Sequence, residues 1–217
     1  MKIPHGFVPE KELEEKIKSL TDDNVKKQEA IDALLNGYKT GIERSISLPN
    51  LREYYVLASD IAKTITYTKE DISDFCSEKY ANIKTAILKD FGVRLEGQFR
   101  EMRVREGLYV SALVNKIIKK NEKITIWHES GTEPLPYLGY NHSKGILEVK
   151  GEGGTGDYLG AHMTGGKIIA KYTTFWTGYD MRGGKIMLNR EPIDLHTEIL
   201  RGGEIWVKKK KIYPNKK

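Results

Sequence analysis

Four segments of this chain can be written one above another without a gap: "YLGYNHSKGILEV" (137–149), "YLGAHMTGGKIIA" (158–170), "WTGYDMRGGKIML" (176–188) and "LHTEILRGGEIWV" (195–207). The third column reads Gly139, Gly160, Gly178, Thr197, which sets the offsets at 21, 18 and 19 residues. The sixth reads His142, Met163, Met181, Leu200, and the ninth Gly145, Gly166, Gly184, Gly203. Two apolar columns follow, Leu147, Ile168, Ile186, Ile205 and then Val149, Ala170, Leu188, Val207. A repeat of about 20 residues, each holding one short alternating strand after a glycine corner, predicts a parallel β-helix in which coils stack. Equivalent residues then lie about 4.8 Å apart, one strand spacing. Apolar columns become the core. Glycine columns become corners, where the chain needs positive φ or has no room for a Cβ beneath the next coil. A leucine-rich horseshoe shares the period, but no asparagine or cysteine column recurs. Ile124-Thr125-Ile126 adds one strand upstream, for four to five coils over residues 123–207.

Residues 1–105 follow a helical period instead. Pro9 is placed to open a helix carrying Leu13, Ile17 and Leu20, and Thr21 to Asn24 offer N-caps for a second, with Val25, Ile31, Leu34 and Leu35, which Gly37 can end. After the break at Pro49-Asn50, one face collects Leu51, Tyr54, Ala58, Ile61 and Ile65. Thr68-Lys69-Glu70-Asp71 reads as a capping box, followed by Ile72, Phe75, Ile83 and Ile87 up to a C-cap at Gly92. Val93-Arg94-Leu95 and Met102-Arg103-Val104 alternate like strands, and Leu108 to Ile118 return to helical spacing. The expected fold class is therefore α+β: a helical domain over 1–105, a joint at 106–122, a short right-handed parallel β-helix over 123–207 and a basic tail at 208–217.

The two coils Gly160…Met163-Thr164-Gly165-Gly166-Lys167-Ile168 and Gly178…Met181-Arg182-Gly183-Gly184-Lys185-Ile186 share the pattern G-x-x-M-x-G-G-x-I. The pattern resembles the Gly-rich C-terminal β-helix of the glutamate synthase large subunit, and is similar also to the corresponding β-helical subunit of formylmethanofuran dehydrogenase. The likeness covers residues 123–207 and nothing before them. It implies architecture: a spacer that packs against catalytic domains or subunits, with no catalytic residue to carry over. Thr197 and Leu200 depart from the pattern in the last coil, as an end cap does. So short an array needs closing by the helical half or by a partner.

The "EVKGEGGTGDYLG" stretch (148–160) spaces Gly151, Gly153 and Gly156 like a dinucleotide-binding turn. That reading needs a helix next, but Gly160, Gly165 and Gly166 follow within eleven residues, each costing a helix about 1 kcal/mol. No Walker A or H-E-x-x-H motif is present, and no cofactor is expected. The single cysteine, Cys76, excludes an internal disulfide and reads as a packed residue. His142 sits in an apolar column and reads as a buried, hydrogen-bonded imidazole. One column over, Asn141, His162 and Asp180 form a polar ladder, within which His162 with Asp180 is the weak candidate for a metal or acid–base site. Tyr137, Tyr158 and Trp176 form an aromatic ladder.

The net charge of +6 is uneven, −1 over residues 1–106 and +7 over the rest. Lys208, Lys209, Lys210 and Lys211 account for much of it and read as a solvated end. They and the loop residues Arg44, Ser47 and Arg52 are the candidate anion or partner surfaces. Neither a signal-peptide stretch nor a spanning run of apolar residues is seen, so the expectation is cytoplasmic. The expected role is a non-catalytic scaffold or subunit for protein–protein assembly, or a homo-oligomer pairing through a sheet edge at Val207. The alternatives are an accessory subunit or remote relative of a redox enzyme, and nucleic-acid binding through the lysine tail.

Overall fold

The computed structural model describes residues 10–45, 50–90, 96–128, 134–151 and 154–214. Five α-helices precede a β-solenoid: α1 (Glu10–Ser45), α2 (Leu51–Thr64), α3 (Lys69–Phe75), α4 (Ala81–Asp90) and α5 (Glu96–Ile117). The sheet holds β1 (Lys123–Trp127), β2 (Ile146–Lys150), β3 (Thr164–Ala170), β4 (Gly183–Leu188), β5 (Glu204–Val207) and β6 (Lys210–Tyr213), in that spatial order. The first five are parallel, so the solenoid makes about four turns, and β6 is antiparallel to β5. The pairing follows the columns read from the sequence: Ile124↔Leu147↔Ile168↔Ile186↔Ile205 run through all five coils as buried neighbours.

The paired glycines divide the two duties of a corner. Gly184 has φ +86, the left-handed region that penalises a Cβ. Gly183 before it is excluded for another reason: a Cβ there would stand 2.4 Å from the Thr164 carbonyl of the preceding coil. Gly165 meets the Ser143 carbonyl, and Gly202 the Arg182 carbonyl, in the same way. Non-glycine residues also take positive φ, at Tyr137, Tyr158 and Trp176 and again at Asn141, His162 and Asp180. The polar set tolerates this conformation well; bulky aromatics there cost about 1–2 kcal/mol each. Stacking offsets that cost. Tyr137 and Tyr158 lie 4.4 Å apart at 7°, Tyr158 and Trp176 6.0 Å apart at 6°, and His196 extends the ladder 4.0 Å beyond Trp176.

Helix α5 closes the first coil by imitating a coil. Within the stack, Gly160 N–H donates to Leu138 O and Gly178 N–H to Leu159 O. Gly139 has no glycine corner before it and donates to Ser111 Oγ at 2.9 Å. Likewise Ala161 O and Tyr179 O accept from Asn141 N–H and His162 N–H, while Tyr140 O accepts from Asn115 Nδ2 at 2.8 Å. Ser111 and Asn115 are one helical turn apart, so both face the same corner. Residues 106–117, read as a joint, are thus the buried middle of the molecule: Leu108, Tyr109, Val110 and Leu113 have no exposure.

Several sequence expectations change. Residues 10–45 form one helix, not two: it runs unbroken through Thr21 to Asn24 and on past Gly37, which is a contact and not a cap, a Cβ there lying 2.4 Å from Tyr109 Oη. Leu20 and Val25 on its first half are more than half exposed, so the apolar face is not buried at those positions. Met102-Arg103-Val104 is helical within α5, as the ion pairs Arg103–Glu106 and Arg105–Glu101 at i,i+3 and i,i+4 require. The segment after Thr68 breaks at a 3-10 turn (Glu78–Tyr80), which leaves Ile83 exposed and turns Lys84 inward. Its capping box is present: Asp71 N–H donates to Thr68 Oγ1 and Thr68 N–H to Asp71 Oδ2. Finally, residues 208–213 are no solvated tail. Lys208 and Lys209, both at positive φ, make the tight turn into β6, which covers the β5 edge at Val207 that was expected to pair with another copy. Pro9, Ser47, Gly92 and residues 93–95 lie outside the described residues.

His142 is fully buried, its Nδ1 3.1 Å from Asn115 Oδ1. Burial pushes its imidazole down to about 4, against a backbone hydrogen bond with Gly145 that raises it. The folded chain therefore holds His142 neutral between about pH 6.5 and 4, where the unfolded chain takes up a proton, so stability is lost as pH falls through that window. The shift corresponds to about 3 kcal/mol. Replacing His142→Met, the residue the column carries elsewhere, is expected to flatten the dependence of the urea midpoint on pH between about 7 and 4. An unchanged slope would show that another group sets it.

Candidate functional site

Where the first turn of α2 meets the first three corners of the solenoid, a cleft of about 310 Å3 is lined by Arg52, Tyr140, Asn141, His162, Thr164, Asp180 and Arg182. Asn50 caps α2 by accepting from Glu53 N–H, which starts the helix immediately before Arg52 and directs its first turn at the solenoid. From α5, Asn115 donates to both Tyr55 Oη of α2 and Tyr140 O, tying α2 to the first corner. The Tyr55 and Tyr140 rings are 4.8 Å apart. The cleft is thus built by three independent parts of the chain.

Asp180 is its organising charge. Only 8% exposed, it lies 3.0 Å from His162 Nδ1, 3.0 Å from Arg182 Nη2 and 2.5 Å from Arg201 Nε. Burial alone would raise the Asp180 carboxyl; the hydrogen bond from Arg182, the charges of Arg182 and Arg201 and the hydrogen bond from His162 outweigh it and hold it below the usual carboxylate range. An ionised carboxylate only accepts, so His162 Nδ1 carries the proton that it shares with Asp180. The His162 ring is held edge-on by Tyr140 at 5.1 Å and Tyr179 at 5.8 Å.

The two residues singled out in the sequence are therefore in contact, and Arg52, noted on separate grounds, joins them. Arg44 is exposed in the last turn of α1 and outside the cleft lining, while Lys208 to Lys211 belong to the β5–β6 hairpin. Tyr140, Thr164, Arg182 and Arg201 were not singled out; the repeat register puts Arg182 and Arg201 one coil apart, close in column to His162 and Asp180, and was the available signal. No third histidine, cysteine or carboxylate joins His162 and Asp180 as a metal would need; no such cluster of three occurs among the described residues. Cys76 is buried, and desolvation pushes its thiol up to about 12, well away from a nucleophile. Gly151 and Gly156 belong to a corner: a Cβ on Gly151 would press on His128 O and one on Gly156 on Pro136, and turns, not a helix, follow. Gly153 lies outside the described residues.

The outer face of the sheet is the second surface of note. Its columns carry Lys123, Lys150, Lys167, Lys171, Lys185 and Lys208 against Glu148 and Glu204, with Trp127 53% exposed. Hydrogen bonds from Lys211, Trp206 and Lys185 hold Glu204 at about 2. A groove of about 630 Å3 runs across this face past Trp127, Lys150, Lys171, Arg190 and Lys208. No helix among the described residues is long and apolar enough to cross a membrane. Compared with protein-family models, curated proteins and solved structures, the chain matches none.

Proposed function

We propose that the protein is a non-catalytic scaffold or subunit that presents the outer face of its solenoid to an acidic protein partner. The observation that carries this reading is the column arithmetic of that face, six lysines against two glutamates, both of which are already engaged by lysines. The solenoid ends are closed by α5 and β6, so the lateral faces are what it offers. A surplus of one sign beside an exposed tryptophan suits a charged partner with a stacking or apolar contact at its centre. The glutamate-synthase-like register supports the same role, a spacer against other domains or subunits. A relative of that β-helix is the finer form of the proposal, and an accessory subunit of a redox enzyme the narrower partner.

Native mass spectrometry of the complex purified from its source tests it. The expected result is an acidic protein retained by the native chain and lost from a Lys150→Glu, Lys167→Glu double variant. Turnover of a substrate, or stoichiometric flavin, by the isolated protein would end the reading. Retention of nucleic acid instead, weakening steeply with salt, would replace the protein partner with a polyanion.

A further inference from the structure

We propose that the cleft between α2 and the solenoid corners is a binding site for a small oxyanion, a phosphate or carboxylate group, gripped between Arg52 on one side and Arg182 on the other. The cleft shares no lining residue with the groove on the outer sheet face, so it stands independently of the scaffold reading.

Charge is the first support. Arg182 and Arg201 pair with one carboxylate, Asp180, and Arg52 lines the same cleft, so three guanidinium groups stand against a single carboxylate. Arg52 makes no ion pair with any described residue, although it comes from a different element and reaches the same cleft. Arginine presents a planar fork that matches the two oxygens of a carboxylate or phosphate, so two forks lining one small cleft suit one such group.

Preorganisation is the second. Asp180 takes Arg182 at one oxygen and Arg201 at the other, with His162 sharing the first. A buried carboxylate that holds its cations in place lets them bind without first losing side-chain freedom. Asn141, His162 and Asp180 all stand at left-handed φ, so the column that supplies the cleft's polar groups is fixed by the coil geometry itself. The volume, about 310 Å3, is at the small end of ligand sites and admits the oxyanion with a short attached group beside the Tyr140 ring.

The test uses the full chain, titrated with inorganic phosphate and, separately, with succinate, each against sodium chloride at matched ionic strength and followed by 15N amide shifts. The expected result is saturable shifts centred on Asn141, His162 and Thr164. Affinity is expected to fall about tenfold in Arg52→Gln and in Arg182→Gln, the loss of one charged hydrogen-bonding group. Arg44→Gln, outside the cleft, is expected to bind as the parent does, and Arg52→Lys, which keeps charge but loses the fork, to fall between. Tighter phosphate than succinate assigns a phosphate ligand, and the reverse a carboxylate. Equal affinity in the parent and in Arg52→Gln overturns the proposal. So do shifts confined to the lysine-bearing sheet face, or the same response to chloride. Should Arg52→Gln unfold, the comparison between Arg52→Lys and the parent decides.

Discussion

Replacing Glu106→Gln is expected to destabilise the protein by about 3–5 kcal/mol, read as a fall in the urea midpoint with the slope unchanged. Glu106 has no exposure and receives Lys84 Nζ at 2.6 Å and Arg103 Nη1 at 2.5 Å. Lys84 is itself buried and donates also to Phe75 O at 2.9 Å. Burial on its own would raise the Glu106 carboxyl, but Lys84 and Arg103 outweigh it and hold it low. The large cost comes from what remains behind: a neutral amide takes the counter-charge from buried Lys84 and withdraws one carboxylate from partly buried Arg103. Removing the charge on both sides, Glu106→Gln with Lys84→Met, is therefore expected to recover part of the loss, because the double variant leaves fewer buried charges than the single one. If the two substitutions simply add, the pair is not coupled and the explanation is wrong.

The second expected result runs against helix propensity. Gly107→Ala in the interior of α5 ought to stabilise a helix by about 1 kcal/mol. Here it is expected to destabilise by about 3 kcal/mol, because a Cβ at Gly107 would stand 1.8 Å from the Pro136 carbonyl. That carbonyl is backbone of the first corner, so relief requires α5 and the solenoid to move apart. The movement would break the bonds from Ser111 and Asn115 to Tyr137 O, Gly139 N and Tyr140 O as well. Thermal unfolding monitored against Ser19→Ala, on the exposed first half of α1 and expected to lie within about 0.5 kcal/mol of the parent, checks it.

The solenoid was legible because its information is local and repeated. Each coil meets the next at a nearly constant offset, so Leu147, Ile168, Ile186 and Ile205 announce their contact by column alone. The helical half offers no such ruler. Thr21 to Asn24 are good caps in isolation, yet α1 runs through them because the helix is held further on, at Ile31, Leu34 and Tyr38. Met102 to Val104 alternate, but partners at Glu101 and Glu106 fix a helical spacing that apolar residues alone do not reveal. The cleft was half legible. His162 with Asp180 follows from the register, whereas the arrival of Arg52 from a helix far upstream depends on how α2 packs on α5, for which no periodic signal exists.

The imitation of a coil by Ser111 and Asn115 gives the solenoid a starting point in time. Repeat arrays in general can begin to order at any repeat and spread from there. In this chain the first corner takes Ser111 and Asn115 from a helix that is made earlier during synthesis, so that helix is expected to serve as the template on which Tyr137 to Val149 order. Each finished coil offers the next the same kinds of donor and acceptor that the helix offers the first, so growth is expected to proceed one way until the Lys208-Lys209 turn folds the chain back.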